Sequence, residues 1–239
     1  MPQRPLVFTH LHKCAGSSVR RMLYHKFKGL IARERMHIPE ITCGPYGNLP
    51  MMQKRGEALP RGILLLADHT PYALYDDHVL APGDVFRMTL LRMPLDRLES
   101  YFNFCARTKF IPDKWSRFID DLGAMPEAEF IEMCRHFEHN SGYVYWFDPK
   151  TRDFEAALRN LLSYDVIARH DRLEELCEMF NARNPYGVRF YLGDVRHVNQ
   201  TPRSTHLTPR QREVAQGILE QEFAIWESPA VQEAMQSRP

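Results

Sequence analysis

Short apolar runs alternate along the chain with longer segments in which apolar residues return at helical spacing. Leu6-Val7-Phe8, within a strand-like run over Pro5–His10, leads into a polar stretch from His10 to Ser18, after which Val19, Met22, Leu23 and Phe27 fall on one helical face. That pattern predicts strand, tight loop, helix. A stretch rich in Gly, Pro and polar residues from Gly44 to Gly62 reads as a surface loop near a substrate cleft, and Ile63–Ala67 as a second buried strand. Val85–Leu91 is a third, ending at Arg92-Met93-Pro94 with a helix beyond, where Pro94 suits the first turn. Residues 113–147 carry the helical stretches FIDDL, AEFIEMCRHF and YVYWF and read as a mostly helical insertion. Phe154–Leu162 has helical periodicity, Asp165–Ala168 is a further strand, and Leu173–Phe180 is amphipathic. Thr208 and Pro209 form an N-cap and N1 pair for a final helix with Val214, Ile218, Phe223 and Trp226 on one side. The alternation predicts an α/β fold in one domain over 1–239, with a mostly parallel central sheet flanked by helices. Ligands are then expected at the carboxyl ends of the strands.

Composition narrows the partners. Lys plus Arg (31) nearly balances Asp plus Glu (30), so no global field marks a nucleic-acid binder and any anion site must be local. No apolar run is long enough for stable membrane insertion, and the polar N-terminus enters a strand with no room for a signal peptide, so the expected location is cytoplasmic. Cysteines at 14, 43, 105, 134 and 177 are odd in number and lack C-x-x-C spacing, which argues against a disulfide framework and a zinc ribbon.

The first loop has the makings of an anion cradle. Backbone N–H groups at a helix start point at an anion, the helix dipole favours its charge, Gly16 permits close approach, and Lys13 adds a mobile cation. A Walker A loop places Lys directly after its second Gly, whereas Lys13 lies three residues before the only Gly of this loop, so the motif is a different one. Taken alone, Lys13-Cys14-Ala15-Gly16-Ser17-Ser18 reads equally as a polar turn with a serine cap.

Context separates these readings. The run Phe8-x-His10-x-x-Lys13-x-Ala15-Gly16-Ser17-Ser18 resembles the 5′-phosphosulfate loop of sulfotransferases that use 3′-phosphoadenosine 5′-phosphosulfate (PAPS), in particular the carbohydrate family that includes the heparan sulfate O-sulfotransferases. Thr89-Leu90-Leu91-Arg92-Met93-Pro94-Leu95-Asp96-Arg97-Leu98-Glu99-Ser100-Tyr101 resembles that family's 3′-phosphate segment. More loosely, Tyr164–Leu173 is similar to a late strand with its following segment, and Val198-Asn199-x-Thr201 to a loop closing over the nucleotide. His12 stands where Pro is usual, Met93 where Asp or Asn is, and Asp171 where Glu is frequent. The resemblance implies a P-loop-NTPase-like three-layer fold and PAPS as co-substrate, with adenosine 3′,5′-bisphosphate (PAP) as product. It implies Lys13, Cys14, Ala15, Gly16, Ser17 and Ser18 around the phosphosulfate and Arg92 with Ser100 on the 3′-phosphate. A guanidinium fork and a nearby hydroxyl suit a phosphate. The acceptor implied is a hydroxyl of a carbohydrate. Because eukaryotic members are usually Golgi-anchored and no anchor stands in this sequence, a bacterial enzyme acting on an exported glycan or metabolite precursor is expected.

Sulfuryl transfer to an alcohol needs a base for the hydroxyl proton and a cation for the leaving phosphate. Lys13 is the expected cation. His69, in Asp68-His69-Thr70-Pro71-Tyr72 beyond the second strand, is the expected base, and His69 with Tyr72 matches an H-x-x-[YF] element that the family carries there. His10 and His12 are its rivals; His10 could orient the loop. No metal is expected: Cys134-x-His136-x-x-His139 has ligand types, but a helix turns 134 away from 136 and 139. Trp115, Phe118, Tyr143, Tyr145 and Trp146 could line a sugar groove but suit a core better, and Lys109, Lys114 and Arg117 read as a solvated face. Two other functions fit less well: a nucleotide kinase with an atypical phosphate loop, and a nucleotide-binding module without catalysis.

Overall fold

The computed structural model describes residues 4–34, 65–68, 85–108, 115, 117–118, 121–194 and 206–236. Four short strands, β1 (Leu6–Thr9), β2 (Leu65–Asp68), β3 (Phe86–Leu91) and β4 (Val166–Arg169), form a sheet in the order β2-β1-β3-β4, and every pairing is parallel. Successive residues of a strand point to opposite faces, and every residue of β1 and β3 is buried, so both faces of the sheet are covered. This is why the strands read in the sequence as continuous apolar runs rather than as alternations.

Helices supply the cover. α1 (Gly16–Glu34) follows β1 and turns Val19, Met22, Leu23 and Phe27 into the main core, the face the spacing predicts. α2 (Pro94–Thr108) follows β3. The described part of the 113–147 region is helical: a 3₁₀ turn at Leu122–Ala124, α3 (Glu127–Ser141) and α4 (Tyr143–Phe147). Of the FIDDL stretch, Phe118 lies in a turn and Leu122 opens the 3₁₀ turn, while residues 119–120 lie outside the described residues. α5 (Phe154–Leu162) is capped by the Asp153 carboxylate, which accepts from Ala156 N at 2.7 Å; α6 (Leu173–Arg183) follows β4.

Two hydrophobic clusters organise the chain. The main one joins the strands to α1, α4, α5 and α6; the second joins Leu95, Leu98 and Phe102 of α2 to Phe130, Met133 and Phe137 of α3. The C-terminal segment spans both, which corrects the single final helix expected from its pattern. It forms α7 (Pro209–Ile218), α8 (Glu220–Glu227) and α9 (Pro229–Gln236). Thr208 and Gln211 make a full capping box at the start of α7, as the Thr208-Pro209 signature predicts. The breaks fall at Leu219, with φ −90° and ψ 27°, and at Ser228, held extended ahead of Pro229. Val214, Ile218 and Phe223 pack on the second cluster and Trp226 in the main one, a division one straight helix face cannot make.

Candidate active site

Topology locates the site. β1 connects through α1 to β2 on one side, while β3 lies on the other side of β1 and leads on to β4. The strand order reverses between β1 and β3, and in an open parallel sheet the crevice beyond the carboxyl ends at such a point receives ligands. The two segments at its rim are His10–Ala15 and Arg92–Met93.

The first loop is a wound turn. Lys13 and Ala15 have φ of 65° and 56° while Cys14 between them does not, and left-handed residues of this kind occur in the backbone nests that bind anions. Left-handed conformation in residues with a Cβ costs about 1–3 kcal/mol each, so the surrounding structure must impose it. The loop's own bonds are Cys14 N to Leu11 O (3.4 Å) and Ser18 N to Ala15 O (3.1 Å). Gly16 is required by proximity: a Cβ there would stand 1.8 Å from Cδ2 of His10. The His10 ring, 4% exposed, stacks on Phe8 and lies under Gly16. His12 is held from the side, its Nδ1 3.2 Å from the Ser141 hydroxyl and its ring edge-on to Trp146. Burial pushes the Cys14 thiol up to about 11 despite Arg97 and Arg92 nearby, so Cys14 offers an anion its backbone and no thiolate.

Arginines from α2 and its approach clamp the loop from above. Arg92 Nη1 donates to the Lys13 carbonyl at 3.0 Å, and Arg97 Nε donates to the His12 carbonyl at 3.1 Å. Arg97 is fully buried. Its fork also donates to the Ser141 carbonyl and pairs with Glu222 Oε2 of α8 at 2.9 Å, while its plane lies over the rings of Phe137 and Tyr143. Glu222 in turn accepts from Tyr143 N, and the Tyr143 phenol accepts from Arg92 N (3.0 Å) and donates to Arg92 O. Burial holds that phenol far above its ordinary pKa, so it remains a donor. The result is one buried polar network that fixes both rims of the crevice relative to each other. Arg97, Ser141, Tyr143 and Glu222 carry it; Arg97 stood in the quoted motif without a role, Tyr143 read as a core aromatic, and Ser141 and Glu222 had no signal of their own.

α2 presents a polar face to the same place. Asp96, Ser100 and Phe104 are spaced four apart and so share that face, and Lys13 Nζ sits 4.3 Å from the centroid of the Phe104 ring. Ser100 is half-buried, and among the described residues no partner holds its hydroxyl; the same is true of Ser17. Met93, where the resembled motif has Asp or Asn, answers an open N–H of the first turn with sulfur: its Sδ accepts from Leu95 N at 3.3 Å.

Lys13, Cys14, Ala15, Gly16, Ser17, Ser18 and Arg92 therefore stand together at one crevice, with Ser100 on the helix beside Lys13. His69 and Tyr72 lie outside the described residues, although Asp68, which precedes His69, pairs with Thr9 at the carboxyl end of β1. The Gly44–Gly62 loop, Lys109, Lys114 and the Val198–Thr201 segment also lie outside them. Trp115, Tyr143 and Trp146 are buried, Arg117 pairs with Glu129 at 2.7 Å on the surface, and Cys134 is buried in the second cluster while His136 and His139 line an open groove of about 570 Å³. Among the described residues no helix is long and apolar enough to cross a membrane, and no group of His, Cys, Asp or Glu is placed to hold a metal ion. No family model matches the chain, and no curated protein matches it.

Proposed function

We propose that the chain is a PAPS-dependent O-sulfotransferase with a P-loop-NTPase-like fold, acting on a hydroxyl of a carbohydrate or related acceptor. The observation that carries this reading is the left-handed Lys13–Ala15 turn set across the β1/β3 switch point from Arg92, with the Arg92 side chain bonded to the turn. One rim supplies N–H groups and an ammonium for a 5′-phosphosulfate. The other supplies a guanidinium and the Ser100 hydroxyl for a 3′-phosphate. In the reaction the acceptor oxygen bonds to sulfur, His69 takes the hydroxyl proton, and the sulfur bond to the 5′-phosphate oxygen breaks. The charge developing on that oxygen is met by Lys13, which acts chiefly in the transition state.

The test is calorimetric titration with PAP, AMP and ATP on the wild type and Arg92→Ala, with circular dichroism to verify the variant's fold. PAP is expected to bind more tightly than AMP, and Arg92→Ala to cost PAP about 10- to 100-fold and AMP little, the scale of hydrogen bonds to a charged group. Equal affinity for PAP and AMP overturns the reading. Tightest binding of ATP with magnesium replaces it with the kinase reading.

A further inference from the structure

A histidine to which the resemblance gives no role stands at the same strand ends. His170 follows β4, and its backbone N–H donates to Leu91 O at 2.9 Å, which sets it beside the residue that precedes Arg92. Its side chain is 19% exposed, and its Nδ1 is buried with no hydrogen-bond partner among the described residues. The nearest carboxylate is beyond hydrogen-bond distance: Asp171 Oδ1 stands 3.8 Å away, and the two Asp171 oxygens accept from Arg169 at 3.0 and 2.8 Å. The charges that act on the ring are Arg92 from the end of β3, Asp96 from α2, and Arg169 and Asp171 from its own strand end. Asp96 shares its helix face with Ser100. Arg92 and His170 thus stand at the ends of the neighbouring strands β3 and β4, and Asp96, one turn before Ser100 on α2, acts on the same ring.

A buried imidazole nitrogen without a partner costs free energy unless a ligand answers it. Burial and the Arg92 charge push the His170 ring down to about 4, so the free protein holds it neutral at physiological pH. A phosphate dianion arriving beside it would reverse the balance of charge.

We propose that His170 is a contact residue of the 3′-phosphate, beside Arg92 and Ser100, and takes up a proton from solvent when a 3′-phosphorylated adenosine nucleotide binds. The proposal rests on the PAPS reading above. It makes the affinity for PAP depend on pH through this chain and not only through the nucleotide, and it confines that dependence to ligands with a 3′-phosphate. If the bound phosphate only restores an ordinary histidine pKa, affinity rises about tenfold between pH 7.5 and pH 5.5. The second ionisation of a phosphate monoester, near pH 6, contributes equally with and without the histidine, so the difference between proteins carries the information.

The experiment is calorimetric titration with PAP and AMP from pH 5.5 to 8.5, in two buffers of different ionisation enthalpy, on the wild type and His170→Gln. The expected result is uptake of a proton with PAP but not AMP, lost in His170→Gln together with about tenfold in affinity at pH 5.5 and little at pH 8. Proton uptake unchanged in His170→Gln overturns the proposal while leaving the PAPS reading standing; no preference for PAP over AMP at any pH overturns both. Should His170→Gln fail to fold, the assigned His170 ring resonances of the wild type at pH 5.5 decide. They move to imidazolium positions with PAP if the proposal holds, and remain at neutral positions if it does not.

Discussion

Removing Glu222 should loosen the crevice from a distance. Its carboxylate is 1% exposed and answers two donors, Arg97 Nη1 and Tyr143 N. Glu222→Ala leaves a guanidinium that is 0% exposed without its counter-charge and a buried N–H without its acceptor. Breaking a buried pair from one side costs about 3–5 kcal/mol. Arg97 keeps the His12 and Ser141 carbonyls and its place over two aromatic rings, so the lower part of that range, about 3–4 kcal/mol, is expected. For a chain of this size that corresponds to a fall in Tm of roughly 6–16 °C. Burial pushes the Glu222 carboxyl up to about 7, against the pull of Arg97 and Tyr143 N–H. Near neutrality Glu222→Gln, which keeps the shape and an acceptor, should therefore cost only about 1–2 kcal/mol. A raised carboxyl pKa contributes stability that is fully present below its ordinary value of 4.5 and is lost as pH rises through 7. Urea denaturation followed by tryptophan fluorescence at pH 5, 6, 7 and 8 should show this slope in the wild type and a flatter one in Glu222→Gln. A Glu222→Ala protein within about 1 kcal/mol of wild type would refute the claim that this pair holds the rims together.

Gly16→Ala drives a methyl into the His10 ring, which is pinned between the loop and Phe8. A loss of about 3 kcal/mol or more is expected in the same denaturation assay, and the Gly16→Ala, His10→Ala double variant should recover part of it, a coupling that simple helix-start strain would not produce. The Cys14 thiol, 1% exposed and pushed up to about 11, should be alkylated at pH 8 at least about a hundredfold more slowly in the native protein than in urea. Peptide mapping after pulsed alkylation measures this at residue 14 alone, and labelling at comparable rates would mean that the turn is more open than described.

Local order was legible in the sequence because it rests on local rules. The strands at Leu6–Thr9, Phe86–Leu91 and Val166–Arg169, α1 and α5, and the Thr208 capping box follow from periodicity, burial runs and caps that involve neighbours a few residues apart. The two rims of the crevice were legible for the same reason, as short motifs ending buried strands. What the pattern could not carry is how the rims are held. Arg97 meets Ser141 across 44 residues, His12 across 85 and Glu222 across 125, and no period or spacing encodes such a meeting. Nor could it carry the split of the C-terminal segment, whose apolar positions serve two clusters built from elements far apart in the chain. His170 is the same case. In the sequence it is one polar residue after a strand, and only the pairing of β3 with β4 brings it beside Arg92. Periodicity determines which face of an element is buried, whereas the charges and hydrogen bonds that meet inside are decided by which faces the folded chain presses together.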